Sequence, residues 1–259
     1  MIRDSLWFEF DNELSSNFQI INCNLSSGML EEPLMAESEI IETEIRGRNE
    51  PYFQEIKYKP LEFDVNFAFE YGWTEESLQK VKRWLRKPYY CKLRFSENPN
   101  RLYYGCFTGE PKLNHNSRNE GYFTWHFRCK GSFAYSPVYI GNYDFSGIDV
   151  NYFEFNNLGD VDVLPIIEIT KVSGDGGVSI FNLSDGNKEF GFTTLVNNEI
   201  ATVDCRRKDI VSSLSSSVPP IFRYDKLIDN NYLNLVYGMN RLRVSGKCKI
   251  CLKYEFKFH

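Results

Sequence analysis

Strict alternation of apolar and polar residues limits what this chain can fold into more than any other feature. In LEFDVNFAF, residues 61–69, Leu61, Phe63, Val65, Phe67 and Phe69 fall on one side, and Glu62, Asp64 and Asn66 on the other. YFTWHFRCK, 122–130, repeats the pattern with Phe123, Trp125, Phe127 and Cys129 inward. In CKICLKYEFKF, 248–258, the shared face is Cys248, Ile250, Leu252, Tyr254, Phe256 and Phe258. Successive side chains of a strand point to opposite faces, so these segments read as antiparallel strands with one face on a core. Aromatic residues are 16% of the chain, a composition that suits pleated surfaces.

LRFSENPNRLYYGCF, 93–107, reads as strand, turn, strand. Leu93 and Phe95 alternate with Arg94, a break follows over Ser96–Asn100, and Leu102, Tyr104 and Cys106 resume the pattern. Two tyrosines and two arginines crowd this hairpin, which makes it either a ligand-binding strand pair or packing within an assembling scaffold.

One segment, WTEESLQKVKRWLRK, carries a good helix signal. Thr74 is placed to cap it, Glu75 and Glu76 suit the positive end of the dipole, and Trp73 and Leu78 are spaced as a hydrophobic staple. Leu78, Val81 and Leu85 form the core stripe, and Pro88 prevents continuation. Lys80, Lys82, Arg83, Arg86 and Lys87 gather toward its C-terminal end, as a solvated helix terminus or as a surface for an acidic partner.

Periodicity weakens over 131–150, and the domain boundary is expected in the second half of that stretch. Beyond it, short strands such as VSIFNL, FGFTTL and IATVDC alternate with turns, SDGN at 184–187 being a hairpin signal. The expected organisation is an N-terminal domain over 1–140, a linker over 141–151 and a C-terminal β-sandwich over 152–259. VSSLSSSVPP, 211–220, is expected to be a loop.

The net charge of −5 argues against a nucleic-acid binder, which needs Lys and Arg to neutralise phosphates. No run is long and apolar enough for a membrane span, and MIRDSLWFEFDNE does not resemble a signal peptide. Seven cysteines without framework spacing are expected to be reduced thiols. Cys248 and Cys251 form a CxxC, but a spacing of three in a strand puts them on opposite faces. His115, His126 and His259 stand in no context that pairs them with a nucleophile. SGDGG, 173–177, reads as a hairpin turn rather than a phosphate cradle. DNNYLN lacks a calcium loop's spacing, and the sequons at Asn24 and Asn182 read as chance. No enzyme activity, cofactor or metal is expected.

The order of these pieces resembles the N-terminal domain of distal tail (Dit) proteins of long-tailed bacteriophages and prophages. The resemblance runs over about residues 8–138: FDNELSSNFQI, an acidic stretch, EIRGRNEP, PLEFDVNFAF, the helix, LRFSENPNRLYYGCFTGEPKL and GYFTWHFRCKGSFAYSPV. Residues 152–258 resemble that family's second domain, a galectin-like or carbohydrate-module-like sandwich, through NNLGDVDVLPIIEI, FGFTTL, ATVDCRRKDI and NLVYGMNRLRVSG. At this length no inserted sugar-binding module fits.

The resemblance implies a mainly β protein. Its N-terminal β-sandwich or split-barrel-like domain carries one helix, and its C-terminal domain is a second sandwich. It further implies a structural role at a virion tail tip, assembled in the bacterial cytoplasm. Six N-terminal domains close a ring, stacked as a ring pair in isolation. That ring joins the tail tube to a tail-associated fibre or lysin protein and holds a receptor-binding protein, while DNA passes through its centre. Tyr103, Tyr104, Arg94 and Arg101 are then expected to lock a sheet rather than bind a ligand.

Residues 30–60 look like the belt that embraces the next subunit, with Arg46, Arg48, Tyr52 and Phe53 as expected contact residues, against the alternative of an ordinary loop. Acidic residues of 31–50 and 62–70 are expected near the bore or the ring faces, where negative charge repels phosphates. The competing functional reading is a carbohydrate-binding module protein used in host-surface adhesion.

Overall fold

The computed structural model describes residues 5–23 and 32–259. The sequon at Asn24, the first residues of the expected belt and the start of the N-terminal segment lie outside them. The chain divides into two compact units, residues 1–136 with His259, and residues 137–258.

The first unit contains β1 (Phe8–Phe10), β2 (Glu13–Leu14), β3 (Ile20–Asn22), β4 (Ser38–Thr43), β5 (Tyr52–Tyr58) and β6 (Glu62–Phe69). Helix α1 (Glu75–Leu85) follows, then β7 (Cys91–Phe95), β8 (Asn98–His115), β9 (Gly121–Cys129) and β10 (Ala134–Tyr135). Its main sheet is antiparallel in the order β2-β1-β7-β8-β9-β6-β3, with β10 added beside β8. All five apolar residues expected inward over 61–69, and all four from β9, are buried. They share one aromatic core with Phe8, Phe10, Phe95 and Phe107.

Helix α1 covers this core and starts where its sequence says it should. Thr74 Oγ1 accepts from the Ser77 amide at 3.1 Å, while Ser77 Oγ accepts from the Thr74 amide at 2.8 Å. The two bonds satisfy donors that a helix start leaves open. Val81 and Leu85 are buried, with Leu78 and Trp73 packed at the rim. Trp84, absent from the expected stripe, is buried too. It stacks on Phe18 at 4.1 Å between ring centroids, and its indole Nε1 donates to the Phe10 carbonyl at 3.0 Å.

The 93–107 hairpin forms, but its turn is shorter than expected. Phe95 already pairs with Asn98, and the register then skips Pro99–Arg101, so that Arg94 faces Leu102 and Leu93 faces Tyr103. That odd skip reverses the inward face. Tyr103 and Phe107 turn to the core, while Leu102, Tyr104 and Cys106 take the other side. Tyr103 meets Phe63 edge-on at 5.1 Å, and burial pushes its hydroxyl pKa to about 12. On the outer side Arg94 and Lys92 hold Glu9, and Lys130 lies over the Tyr104 ring at 4.1 Å. After the tyrosines comes Gly105, where a Cβ would stand 2.2 Å from the Arg128 carbonyl oxygen, so only glycine fits. The crowded polar and aromatic residues therefore tie the sheet to itself.

The second unit is a sandwich. Its larger sheet orders β11 (Tyr139–Phe145), β19 (Cys248–Tyr254), β13 (Ile166–Lys171), β16 (Ile200–Asp204) and β17 (Asp209–Ser212). The smaller orders β12 (Val150–Asn157), β18 (Gly238–Ser245), β14 (Gly176–Asn182) and β15 (Lys188–Leu195). Both sheets contribute to one core, including Ile167, Ile169, Ile250 and Leu252 from one and Ile180, Phe192, Leu242 and Val244 from the other.

Three expectations need correcting here. Residues 141–151 are not a linker, because β11 pairs along its whole length with β19 and β12 begins at Val150. SGDGG is no hairpin turn, since β13 and β14 lie in different sheets and the glycines carry the chain across. The strand expected over 248–258 breaks at Glu255–Phe256, with β20 (Lys257–Phe258) beyond it. Within that strand Cys248 is buried in the core, whereas Cys251 is opposite Asn142 and Glu168 and partly exposed, the two faces that strand periodicity demands.

Candidate functional site

Strands β4 and β5 form a two-stranded ribbon that pairs with no other strand among the described residues. Its base is held by Lys59, whose amide donates to the Glu37 carbonyl and whose ammonium meets Glu37 Oε1 at 2.7 Å. Ser38 pairs with Tyr58, Ile40 with Ile56, and, after a bulge at Gln54, Glu42 pairs with Phe53 and Thr43 with Tyr52. Directly opposed residues share a face. One face therefore carries Ser38, Tyr58, Ile40, Ile56, Glu42 and Phe53, mostly apolar, and the other carries Glu39, Lys57, Ile41, Glu55, Thr43 and Tyr52.

The apolar face is open to solvent: Ile40 is 61% exposed and Phe53 58%. A lone two-stranded hairpin is marginal in water, and an uncovered apolar face lowers its stability further. The arrangement suits a segment that another surface completes.

Of the expected contact residues, Phe53 belongs to this apolar face and Tyr52 lies on the opposite one. Arg46 and Arg48 sit exposed in the turn joining the strands, where the Arg48 amide closes onto the Ile45 carbonyl at 3.0 Å. The structure thus places all four on the ribbon but does not bring them onto one face. Ile40, Ile56 and Tyr58, which share the face of Phe53, are not among those expected residues. Their signal is the alternation Ile56-Lys57-Tyr58, which the bulge dissociates from Phe53.

Helix α1 supplies a surface of opposite sign. Lys80 pairs with Glu76 at 2.7 Å and Lys87 with Asp11 at 2.6 Å, whereas Lys82, Arg83 and Arg86 have no ion pair among the described residues. Glu39, Glu42, Glu44, Glu50 and Glu55 on the ribbon are likewise unpaired among them.

On the polar face of β6 and β9, His126 bridges Asp64 at 2.8 Å and Glu62 at 3.2 Å, and Arg128 meets Glu62 at 3.0 Å. These two carboxylates, among the acidic residues expected near the bore or the ring faces, are bonded to His126 and Arg128. Burial works against charge on His126, but its bonds to Asp64 and Glu62 outweigh it and raise the pKa. Protonated His126 therefore stabilises the fold fully below the ordinary histidine value of about 6.5. That contribution is lost as pH rises through the raised value. An NMR titration of the imidazole is expected to show a midpoint above that of a free histidine, falling back in Asp64→Asn; an unshifted midpoint would contradict the bridge.

The four buried cysteines are held as thiols. Burial pushes the thiols of Cys129 and Cys205 to about 12 and those of Cys91 and Cys248 to about 11, far from the thiolate that reacts. Asn182 of the second sequon is buried, its amide donating to the Asn234 carbonyl and Asn240 Oδ1.

Residues 3–131 match the family described as phage tail protein N-terminal domain, and residues 133–254 match the phage tail C-terminal domain. The chain is 32% identical over 265 residues to the SPbeta prophage-derived uncharacterized protein YomH of Bacillus subtilis (strain 168), covering all of both. Its fold matches the crystal structure of the SPP1 Dit protein, described as a paradigm of the hub adsorption apparatus in phages that infect Gram-positive bacteria. That match has a TM-score of 0.69 at 15% identity and covers 96% of this chain and 98% of that one. With both halves matched by tail-domain families and a prophage relative aligned from end to end, this chain belongs to the phage tail proteins and is built on the distal tail (Dit) fold.

Proposed function

We propose that the protein is the structural hub of a long, non-contractile phage or prophage tail. Its N-terminal unit closes a ring of six identical copies at the tail tip. The ring joins the tail tube to the fibre or tail-associated lysin protein, and DNA passes through it. The observation that carries this reading is the β4–β5 ribbon, which pairs with no other strand among the described residues and leaves Ile40, Phe53 and Ile56 exposed, on a fold shared with SPP1 Dit.

A ribbon received by a different patch on the next copy gives a head-to-tail contact, the kind that closes rings. The net charge of −5 suits a conduit for DNA, since it leaves no excess of cations to hold phosphates. The role is not catalytic, in keeping with cysteine thiols pushed far from reactivity.

Light scattering and electron microscopy of the full-length protein test the reading. Rings of six copies, single or stacked in pairs, are the expected result. Single copies at every concentration, also with tube and tip proteins present, would overturn it, and saccharide binding by those single copies would favour the adhesion role instead.

A further inference from the structure

The hairpin joining β16 to β17 carries Arg206, Arg207 and Lys208, three cations in a row, in a chain whose net charge is −5. Its backbone is firmly held. Cys205 is buried and its amide donates to the Pro165 carbonyl at 3.1 Å. Asp204 Oδ1 accepts the Arg206 and Arg207 amides at 3.0 and 2.9 Å, and the Tyr232 hydroxyl donates to the Lys208 carbonyl at 3.1 Å. The three charged ends take no part in this anchoring. Among the described residues Arg206 and Lys208 have no ion pair, and Arg207 has only Asp204 at 3.7 Å, beyond hydrogen-bond reach. Like charges held side by side repel one another, so a fixed turn that gathers them is unfavourable until an opposite charge arrives.

Beside the turn runs an open groove of about 230 Å³, lined by Val138, Leu164, Ile166, Lys253 and the two arginines among others. Val138, Leu164 and Ile166 are exposed. Ile166 stands between Asp204 and Lys253 of the neighbouring strands, and the Lys253 ammonium turns to Glu168 at 2.8 Å, which leaves its methylene stem to the floor. An apolar floor with a charged rim has the make-up of a protein contact surface. Asp204 and Glu255 also line the groove, so a polymer that is anionic along its whole length is repelled there. A polypeptide can set apolar side chains on the floor and carboxylates only where the cations are. We propose that this groove receives an extended segment of a different tail protein, apolar over Val138, Leu164 and Ile166 and acidic against Arg206, Arg207 and Lys208. The inference rests on the hub reading, in which ring closure occupies the N-terminal unit and leaves this surface of the C-terminal unit open.

Full-length protein assembled into tails tests it, with Leu164 replaced by the photo-cross-linker benzoylphenylalanine and the cross-linked peptide read by mass spectrometry. The expected product joins this chain to one segment of another tail protein that carries apolar residues beside Asp or Glu. Arg206→Glu with Arg207→Glu is expected to cut that product at least tenfold, and exchange of the segment's acidic residues for lysine to restore it. Both arginines hold the turn mainly through their amides, so the purified variant is expected to form the same rings as the wild type, which also shows that it folds. No cross-link, a cross-link to a second copy of this chain, a segment without carboxylates, an undiminished product in the variant, or loss of its rings would each overturn the proposal. Inorganic polyphosphate retained by the purified protein through the same arginines, with no protein cross-link, would overturn it in favour of a polyanion. A wild-type chain that never forms rings would remove the hub reading itself.

Discussion

Replacing Trp84 by alanine is expected to destabilise the N-terminal unit by about 3–5 kcal/mol, the range for emptying a buried aromatic site. The indole stacks on Phe18 with ring planes 7° apart and on Phe8 at 5.5 Å, meets Phe10 edge-on, and donates its N–H to the Phe10 carbonyl. It thereby fixes α1 to β1 and to the 3-10 turn over Ser15–Phe18, elements far apart in the chain. No neighbour can collapse into the space without moving one of them. Trp84→Phe keeps most of the stacking and loses the hydrogen bond, for an expected cost of about 1–2 kcal/mol. Denaturant unfolding followed by the fluorescence of the remaining tryptophans measures both; a loss below about 1 kcal/mol for the alanine variant would show that the helix is held by something else.

An effect of similar size is expected in the C-terminal unit. Glu199 is buried and received by Arg223 on both oxygens, at 2.7 and 2.6 Å, with further bonds from the Ser212 hydroxyl at 2.6 Å and the Val196 amide at 2.8 Å. Burial alone would raise the carboxyl pKa, but these donors more than offset it and the value is lowered.

Arg223→Ala leaves that carboxylate buried and unmatched, which typically costs about 3–5 kcal/mol. Replacing both residues by apolar ones of like volume should cost much less, because no charge is then stranded. The lowered pKa also fixes a pH window: the pair stabilises fully above the ordinary Glu value of about 4.3, and the contribution is lost as pH falls through the lowered one. Native-state hydrogen exchange of β16 and β17 reads the effect. Equal protection in wild type and Arg223→Ala would contradict it.

The sequence made these elements legible in uneven measure. Where a strand runs without interruption, as in β6 and β9, alternation named every inward residue, because the side-chain period is a property of the backbone alone. The start of α1 was legible for the same reason, since a cap is decided within four residues.

The failures share a different cause. Trp84 is core only because β1 and the Ser15–Phe18 turn return to meet it, which no local window contains. The three-residue skip after Phe95 and the extra residue at Gln54 each shift alternation by an odd number, so side chains beyond them change face. Strand β11 was hidden by Gly141, which interrupts the apolar pattern; in the fold the Tyr143 ring lies over the missing side chain.

The ribbon was legible as composition and not as geometry. Charge and weak patterning set residues 30–60 apart, and Arg46, Arg48, Tyr52 and Phe53 do lie on the ribbon. Their division between two faces and a turn depends on strand pairing.

The ribbon also bears on how free copies survive before they are built into a tail. Among the described residues its two strands pair with no third strand, and an open edge beside exposed isoleucines is a template for indiscriminate stacking. Glu39, Glu42, Glu44, Glu50 and Glu55 outnumber Arg46, Arg48 and Lys57 along it, and charges interspersed in this way work against edge-to-edge pairing of identical copies. Solubility in the waiting state would then come from side chains of the ribbon itself.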